Sequence, residues 1–139
     1  MAIGVDSRAK RILTRLAAYL ELSEPADLTS LLEAAPRLRA SEVALGIYRN
    51  DPASFTDSIL FTSVGLYIHS DDGSWAHVAY SDIERTIPPE SKVHVTGFNV
   101  RCRDGRQVWV PVRGAHAGKF YDAFEVTRFL NRARIDVAG

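Results

Sequence analysis

Apolar residues in the first forty positions recur at the spacing of an amphipathic helix. In SRAKRILTRLAAYLEL, residues 7–22, one stripe at three- and four-residue intervals contains Ala9, Ile12, Leu13, Leu16, Ala17 and Leu20. Asp6 or Ser7 can cap the start of this helix. The following SEPADLTSLLEAAP predicts a second helix that ends at Pro36. Together the two segments predict a helical hairpin over residues 1–40, whose apolar stripe packs against the sheet that follows.

From Glu42 onward the period changes to two, which is the pattern of half-buried strands. The first predicted strand, in EVALGIYRN, alternates Val43, Leu45 and Ile47. The polar stretch RNDPASFTD has the composition of a loop. Further along, DDGS is a turn signal and leads into WAHVAY, which predicts another strand of an antiparallel meander.

SILFT and LYIHS lie between these segments and predict a β-hairpin. Three residues, Ser-Val-Gly, separate the two strands. A three-residue loop with Gly65 in the left-handed conformation would pair Leu60 with Ile68 and Thr62 with Leu66.

The hairpin around Asp104-Gly105 has a register that its hydrophobic pattern selects. A two-residue turn would mix apolar and charged residues on both faces, whereas a three-residue loop pairs Val100 with Val108 and Cys102 with Arg106. One face then contains Phe98, Val100, Cys102, Val108, Val110 and Val112. The outer face contains Asn99, Arg101, Gln107, Trp109 and Pro111. Gly105 takes the left-handed position in this loop.

A final amphipathic helix is predicted in GKFYDAFEVTRFLNRAR. Its core side contains Phe120, Ala123, Phe124, Thr127 and Leu130, widened by Val126, Phe129 and Ala133. Arg128, Arg132 and Arg134 fall in the last turns, where positive charge suits the helix dipole.

The segment WAHVAYSDIERTIPPE, residues 75–90, concentrates polar and aromatic residues and has two interpretations. In the structural one, Val78 and Tyr80 share a strand face, and the side chains of Ser81 and Asp82 bond to nearby backbone N–H groups at a corner. Ile83 and Ile87 would then return to the core. In the catalytic one, Asp82 and Glu84 would form an acid/base pair. Alternate residues of an extended chain share a face without facing a pocket, which favours the structural interpretation.

The stretches SILFTSVGLYI, VAYSDIERT and DGRQVWVPVRG, followed by KFYDAFEVTRFL, resemble the bacterial pleckstrin-homology-like (PH-like) family over residues 43–134. The resemblance implies an α+β fold in which an antiparallel meander forms a partly open barrel capped by a C-terminal helix. The two N-terminal helices are an addition to it. We therefore expect one domain over residues 1–139, with a helical hairpin at 1–40 and the PH-like sheet and helix at 41–139.

The composition narrows the function classes. Hydrophobic residues make up 46% and charged residues 24% of 139 residues, and the net charge is zero, which argues against a nucleic-acid-binding protein. No apolar run reaches the length of a membrane span, and no secretory signal pattern is visible. The single cysteine, Cys102, fits a reducing compartment, so we expect a cytoplasmic protein.

The zero net charge hides an uneven distribution. Residues 43–97 hold three basic and seven acidic side chains, a balance of −4, and residues 98–139 hold eight basic and four acidic, a balance of +4. The two segments either neutralise each other in the fold or present a surface to a partner.

Residue patterns for metal or cofactor chemistry are weak. His69, His77, His94 and His116 are scattered, and no HExxH, paired CxxC or calcium-loop pattern is present. His69 and His77 could share a strand face, although surface or partly buried histidines are the commoner outcome. Cys102 falls on the core face, where a thiol behaves as a small hydrophobe. We expect no metal and no cofactor.

GAHAGKF, residues 114–120, follows a strand and opens a helix, as a phosphate-binding loop does. Its spacing is one residue short, and Phe120 replaces the Ser/Thr that would bind magnesium, so a nucleotide site is excluded. Lys119 at the helix start could attract an anion. The PH-like resemblance also implies phosphoinositide binding through a basic loop after the first strand. RNDPASFTD holds one arginine and two aspartates in that place, which disfavours lipid binding.

These observations favour a non-catalytic protein-binding module. Its candidate surface consists of Arg101, Gln107 and Trp109 on the outer face of the last hairpin and Arg103 at its turn, because Trp and Arg are enriched at binding hot spots. One specific form of this class is an immunity-type protein that occludes a toxin or effector in the same cell. The alternatives are that the N-terminal helices cover Trp109, that a pocket between helix and sheet binds a small ligand or substrate, and that the domain binds lipid peripherally.

Overall fold

The computed structural model describes residues 4–22, 38–51, 57–70, 72–89, 95–116 and 120–138. Its helices are α1 (Val5–Ile12), continued by a 3₁₀ turn at Leu13–Arg15, and α2 (Asp122–Ala138). Its longer strands are β2 (Ala44–Tyr48), β3 (Ile59–Thr62), β4 (Gly65–His69), β5 (Trp75–Ala79), β6 (Ile83–Ile87), β7 (Gly97–Cys102) and β8 (Gln107–Pro111). Three short strands are β1 (Tyr19–Glu21), β9 (Ala115–His116) and β10 (Phe120–Tyr121).

The strands form two main antiparallel sheets, which confirms the α+β class and the C-terminal helix. The five-stranded sheet has the order β1-β2-β3-β4-β5, and the three-stranded sheet has the order β6-β7-β8. A 3₁₀ turn at Tyr80–Asp82 carries the chain from the first sheet to the second. The pair β9-β10 forms a small ladder just before α2.

One continuous apolar core contains residues from both helices and both sheets. At its centre the Phe129 ring of α2 makes edge-on contacts with Phe61 and Tyr80, at centroid distances of 5.5 and 5.8 Å. The buried Tyr80 hydroxyl donates a hydrogen bond to the Thr62 carbonyl oxygen at 2.8 Å. The sequence from Tyr80 to Ile83 therefore places its apolar side chains in the core, as the structural interpretation of this corner predicts.

A second, smaller apolar cluster lies on the opposite face of the five-stranded sheet. It consists of Leu22, Ile47, Leu60 and Tyr67, with Leu38, Ala44 and Trp75 partly buried against it. This sheet is therefore apolar on both faces, which explains why β3 is buried at every position.

The prediction of one helix over residues 7–22 is wrong beyond Ile12. Tyr19–Glu21 instead pairs with Tyr48–Gly46 as an edge strand. The Tyr19 ring lies across Gly46, where a Cβ would overlap it, so a glycine in the neighbouring strand makes room for the aromatic side chain. The predicted cap is also wrong, because Gly4 occupies the N-cap position without a side-chain hydrogen bond. The second predicted helix falls on residues 23–37, which lie outside the described residues.

The register predicted for the first hairpin is wrong by one residue. Phe61 pairs with Leu66 and Leu60 with Tyr67, so the turn has two residues and Gly65 belongs to β4. The Thr62 hydroxyl oxygen accepts hydrogen bonds from the N–H groups of Val64 and Gly65, both at 3.1 Å, and these bonds hold the tight turn. Gly65 is needed for close approach to β5.

The second hairpin has the predicted register. Val100 pairs with Val108, the Cys102 N–H donates to the Arg106 carbonyl oxygen at 2.7 Å, and Gly105 has a φ of 90°. The turn around Gly73 is also confirmed, with a φ of 86°.

Helix α2 begins and ends later than predicted, so Phe120, which the sequence pattern assigns to its core side, lies in β10. Another residue assigned to its core is exposed. Its fully buried side chains are Ala123, Val126, Phe129, Leu130 and Ala133. Phe124 is 37% exposed, so the prediction that it lies in the core is wrong. The helix extends to Ala138, and its last turn contains no basic residue, so Arg128, Arg132 and Arg134 lie in its middle.

Two side chains connect the five-stranded sheet to the segment after β8. The Asn50 amide nitrogen donates to the carbonyl oxygens of Asp57 and Pro111, both at 2.7 Å, and its oxygen accepts the Arg113 N–H at 2.8 Å. The Tyr48 hydroxyl donates to an Asp122 carboxylate oxygen at 2.7 Å. In the described part of the chain, no helix has the length and apolar character to cross a membrane.

Candidate protein-binding surface

The exposed side of the three-stranded sheet carries most of the binding residues predicted from the sequence. Strand register places Arg85 beside Arg101, Arg101 beside Gln107, and Asn99 beside Trp109. The alternating positions Phe98, Val100 and Val110 are buried in the core. We call the opposite side the outer face; its exposed residues are Arg85, Arg101, Gln107 and Trp109, and its partly buried residues are Ile87 and Asn99. The predictions that Ile87 returns to the core and that Pro111 belongs to the outer face are wrong, because Ile87 pairs with Asn99 on this side and Pro111 is buried.

Trp109 is exposed on this face. Its side chain lies against the backbone of Gly97, where a Cβ would approach the indole Cζ2 to 2.7 Å. The residue is nevertheless 48% exposed, so the described part of the N-terminal segment, residues 4–22, leaves it accessible. Its opposite neighbour on β7, Asn99, is partly buried. The glycine leaves room for the indole at Cζ2, so part of the side chain packs against the backbone while about half of the residue is exposed.

Arg101 has a charged environment that leaves much of its guanidinium accessible. Its Nε lies 3.6 Å from a Glu84 carboxylate oxygen, and both side chains are about half exposed, at 47% and 50%. An exposed pair of this kind contributes little to stability. Glu84 reaches Arg101 because the ladder shifts register between Ile83 and Arg85. Arg85 lies directly opposite Arg101, so two like charges are neighbours on the outer face.

Arg103 has a structural contact at the end of the hairpin. Its N–H donates to the Asp82 carbonyl oxygen at 2.8 Å, and its Nε donates to the Ser81 carbonyl oxygen at 3.0 Å. The structure therefore brings Arg101, Gln107 and Trp109 together and places Arg103 against the 3₁₀ turn.

The predicted side-chain caps at this corner are wrong. Ser81 and Asp82 are exposed, and neither side chain caps the turn. Backbone carbonyl groups of the turn accept hydrogen bonds from Arg103 instead. This arrangement still gives the corner a structural explanation and does not place Asp82 in a buried acid/base pair.

A buried carboxylate that the sequence did not single out lies on the other sheet. Glu42 is 8% exposed, and its oxygens accept hydrogen bonds from the Thr62 hydroxyl at 2.5 Å and from the Tyr67 hydroxyl at 3.0 and 3.1 Å. The Arg39 N–H adds a third donor at 3.1 Å. Burial raises the pKa of Glu42, but these hydrogen bonds and the nearby His77 together bring it below its ordinary value. A glutamate before a predicted strand gives no sequence signal of such a cluster.

The two strand histidines share a face, as the sequence suggested. His77 stacks on Tyr67 with ring centroids 4.3 Å apart, and His69 lies 4.7 Å from the Trp75 ring. Burial lowers the pKa of His77, and its Nε2 is buried without a hydrogen-bond partner. Within the described ranges, no group of three or more histidine, cysteine, aspartate or glutamate side chains could hold a metal ion. Cys102 is buried, as predicted.

Two other features of the sequence, the scattered histidines and the segment GAHAGKF, fall partly outside the described residues. Residues 90–94 and 117–119, which include His94 and Lys119, lie outside the described residues, and the side chain of His116 is not described.

Comparisons with protein-family models, with curated proteins and with solved structures find no match to this chain.

Proposed function

We propose that the chain is a non-catalytic protein-binding module and that the outer face is its binding surface. The observation that carries this proposal is the position of Trp109, half exposed on the edge strand β8 and held against Gly97 of β7. Tryptophan and arginine dominate binding hot spots because they bury large areas and form several polar contacts. Arg101 and Gln107 lie on the adjoining positions and supply those contacts.

The buried polar groups support a structural role over a catalytic one. The Glu42 carboxylate already accepts bonds from donors in three different segments, so it has little capacity left for a substrate. Glu84 pairs with Arg101 at the surface, and Asp82 is exposed in the 3₁₀ turn that precedes β6. A pocket between helix and sheet remains the alternative, for which a bound small molecule near His77 would be the direct observation.

The fold supports the PH-like assignment as part of this proposal. Two antiparallel sheets follow one another and a long C-terminal helix packs on the core between them. Within the class we propose an immunity-type protein that acts in the cytoplasm by occluding a toxin or effector. Arg85 and Arg101 are adjacent like charges, so the matching patch on that partner should carry carboxylates. Peripheral lipid binding is the least supported alternative, and liposome sedimentation tests it.

The test is calorimetric titration of two variants against the partner that a pull-down identifies. The double variant Arg101→Ala, Trp109→Ala should lose at least about tenfold in affinity, or about 1.4 kcal/mol, because it removes the hot-spot pair. Asp82→Asn is the matched control, since Asp82 is exposed at the corner and lies off the outer face. Both variants should remain folded, because all three side chains are exposed.

The proposal is wrong if the double variant binds like the wild type. Loss of binding or turnover in Asp82→Asn alone would move the functional site to the corner at residues 80–82.

A further inference from the structure

Helix α2 has an open groove on the side that faces away from the core. The groove has a volume of about 410 Å³ and is lined by Phe124, Thr127, Arg128, Asn131, Arg132 and Ile135. These residues fall into two rows at four-residue spacing, 124-128-132 and 127-131-135. Rows of this kind are the ridges of a helix surface, and the channel between them accepts a ridge of another helix.

Apolar side chains are exposed at both ends of this groove. Phe124 is 37% exposed and Ile135 is 56% exposed. They are eleven residues apart, which corresponds to roughly 16 Å along the helix axis. Val137, in the last turn, is also exposed, so α2 contributes three of the six large hydrophobic side chains that the described residues expose. Val137 lies on another side of the helix, and Phe124 and Ile135, which both line the groove, are the exposed apolar pair that indicates a surface covered by a partner.

Two arginines lie between the apolar ends. Arg128 is 3.6 Å from Glu125 one turn earlier, at ion-pair distance but beyond hydrogen-bond distance. No carboxylate of the described residues forms an ion pair with Arg132, which is exposed. The middle of the groove is therefore positive and requires an acidic group for complementarity.

The floor of the groove is already satisfied within the protein. The Thr127 hydroxyl donates to the Ala123 carbonyl oxygen at 2.7 Å. The Asn131 side-chain oxygen accepts from the Thr86 hydroxyl at 3.2 Å and from Arg134 Nε at 3.4 Å. A partner therefore needs only to bury the two apolar ends and to neutralise the arginines.

We propose that this groove is a second docking site, which binds an acidic amphipathic helix of a protein partner. Aliphatic side chains of that helix contact Phe124 and Ile135, and carboxylates between them contact Arg128 and Arg132. A second copy of this chain is a poorer occupant, because two α2 helices packed through this groove would place arginines against arginines. The site is independent of the outer face, since α2 lies on the core side of the three-stranded sheet.

A designed peptide tests the proposal without knowledge of the natural partner. The probe is a synthetic helix of about 18 residues, long enough to be partly helical alone, with leucines on one face and glutamates flanking them. The control is the same peptide with every glutamate replaced by lysine. Fluorescence anisotropy should show binding of the acidic peptide that is at least about tenfold tighter than that of the control. Addition of salt should weaken it.

Single exposed substitutions locate the site. Arg132→Glu and Phe124→Ala should each weaken binding of the acidic peptide several-fold, and Arg132→Glu should improve binding of the lysine peptide. Arg101→Glu, which changes the same charge on the outer face, is the matched control and should leave affinity unchanged. Amide chemical shifts should move along α2 when the acidic peptide is added.

Four results would overturn the proposal. They are equal binding of the two peptides, unchanged affinity in both α2 variants, shifts confined to the edge strand β6 or to the outer face, and a dimer of the chain that Arg132→Glu dissociates.

Discussion

Gly105 and Gly65 lie in the two hairpins, and each has a different reason to lack a side chain. At Gly105 the backbone has a φ of 90°, and an added Cβ would meet no atom within 4 Å. Only the conformation disfavours a side chain there. At Gly65 an added Cβ would overlap the backbone of Val78 in the adjacent strand. Here the space, rather than the conformation, requires glycine.

Alanine at the two positions should therefore have different costs. Gly105→Ala should lower the free energy of unfolding by about 1–2 kcal/mol, because alanine is strained in the left-handed region. Gly65→Ala should cost more. Overpacking typically costs about 1–3 kcal/mol, and here the added Cβ would meet backbone atoms, which cannot change rotamer as a side chain can. Urea unfolding measures both. Gly105→Asn serves as the control and should recover part of the loss, since asparagine tolerates this conformation.

An unchanged unfolding midpoint in Gly105→Ala would contradict the loop geometry.

The same two glycines show what sequence can predict at this scale. The role of Gly105 followed from the local apolar pattern, which permits one register. The role of Gly65 depends on a strand more than ten residues further along, and no local pattern records that contact.

Among the elements, α2 is a helix as the sequence predicts, but the apolar pattern assigns too many of its positions to the buried side. Apolar periodicity identifies a helix and cannot decide between neighbouring positions when a stripe is broad. Phe124 and Phe129 both fit the periodic pattern, yet only Phe129 meets the rings of Phe61 and Tyr80. The segment Tyr19–Glu21 was missed for a related reason, because its strand pairing with β2 depends on the tertiary contact between Tyr19 and Gly46.

Alanine substitutions at Phe129 and Phe124 should distinguish a core side chain from a surface side chain by their effect on stability. Phe129→Ala should destabilise the protein by about 3–5 kcal/mol, because it removes a fully buried aromatic ring. Phe124→Ala should cost less than about 1 kcal/mol, since the side chain is already partly in water. Thermal and urea unfolding of the pair provide the comparison. Equal losses would show that the outer side of α2 is packed against something in the free protein.

At the scale of the whole molecule, acid should destabilise the fold through the cluster around Glu42. The pKa of His77 lies below its ordinary value of 6.5, chiefly because of burial, so the unfolded chain binds this proton more readily. The stability that a neutral His77 contributes is fully present above about pH 6.5. It is lost as the pH falls from 6.5 towards the pKa of His77 in the folded state. The pKa of Glu42 is also lowered, from 4.5, and its contribution is lost at still lower pH.

Unfolding free energy should therefore decrease as pH falls below about 6.5 and decrease further as pH falls below about 4.5. His77→Phe keeps a ring against Tyr67 and should flatten the first part of this profile. Glu42→Gln keeps the shape of the carboxylate and should flatten the second part. A wild-type profile with no slope between about pH 6.5 and about pH 4.5 would contradict the assignment to His77.

Features of the fold that depend on short-range interactions can be predicted from the sequence, and features that depend on contacts between distant segments cannot. The α+β class, the second hairpin and the C-terminal helix depend on patterns within a few residues. The split into two sheets and the burial of Glu42 depend on contacts between distant segments, so no local pattern could predict them. On the candidate surface, alternation placed Arg101, Gln107 and Trp109 on one face, while the contacts of Arg103 with the corner emerged only from the tertiary structure.

The amide of Asn50 has a consequence for how the outer face would meet a partner. Its three hydrogen bonds join the segment after β2 to the segment before β3, to the last residue of β8 and to Arg113 just beyond it. Two of these bonds, to Pro111 and Arg113, connect the five-stranded sheet to the end of the three-stranded sheet. The two sheets cannot separate at this end without breaking both, and each broken bond would leave a polar group short of a partner. The strand that carries Trp109 is therefore held in place before any encounter. A surface fixed in advance loses little conformational entropy on association, and more of its contact energy remains as affinity.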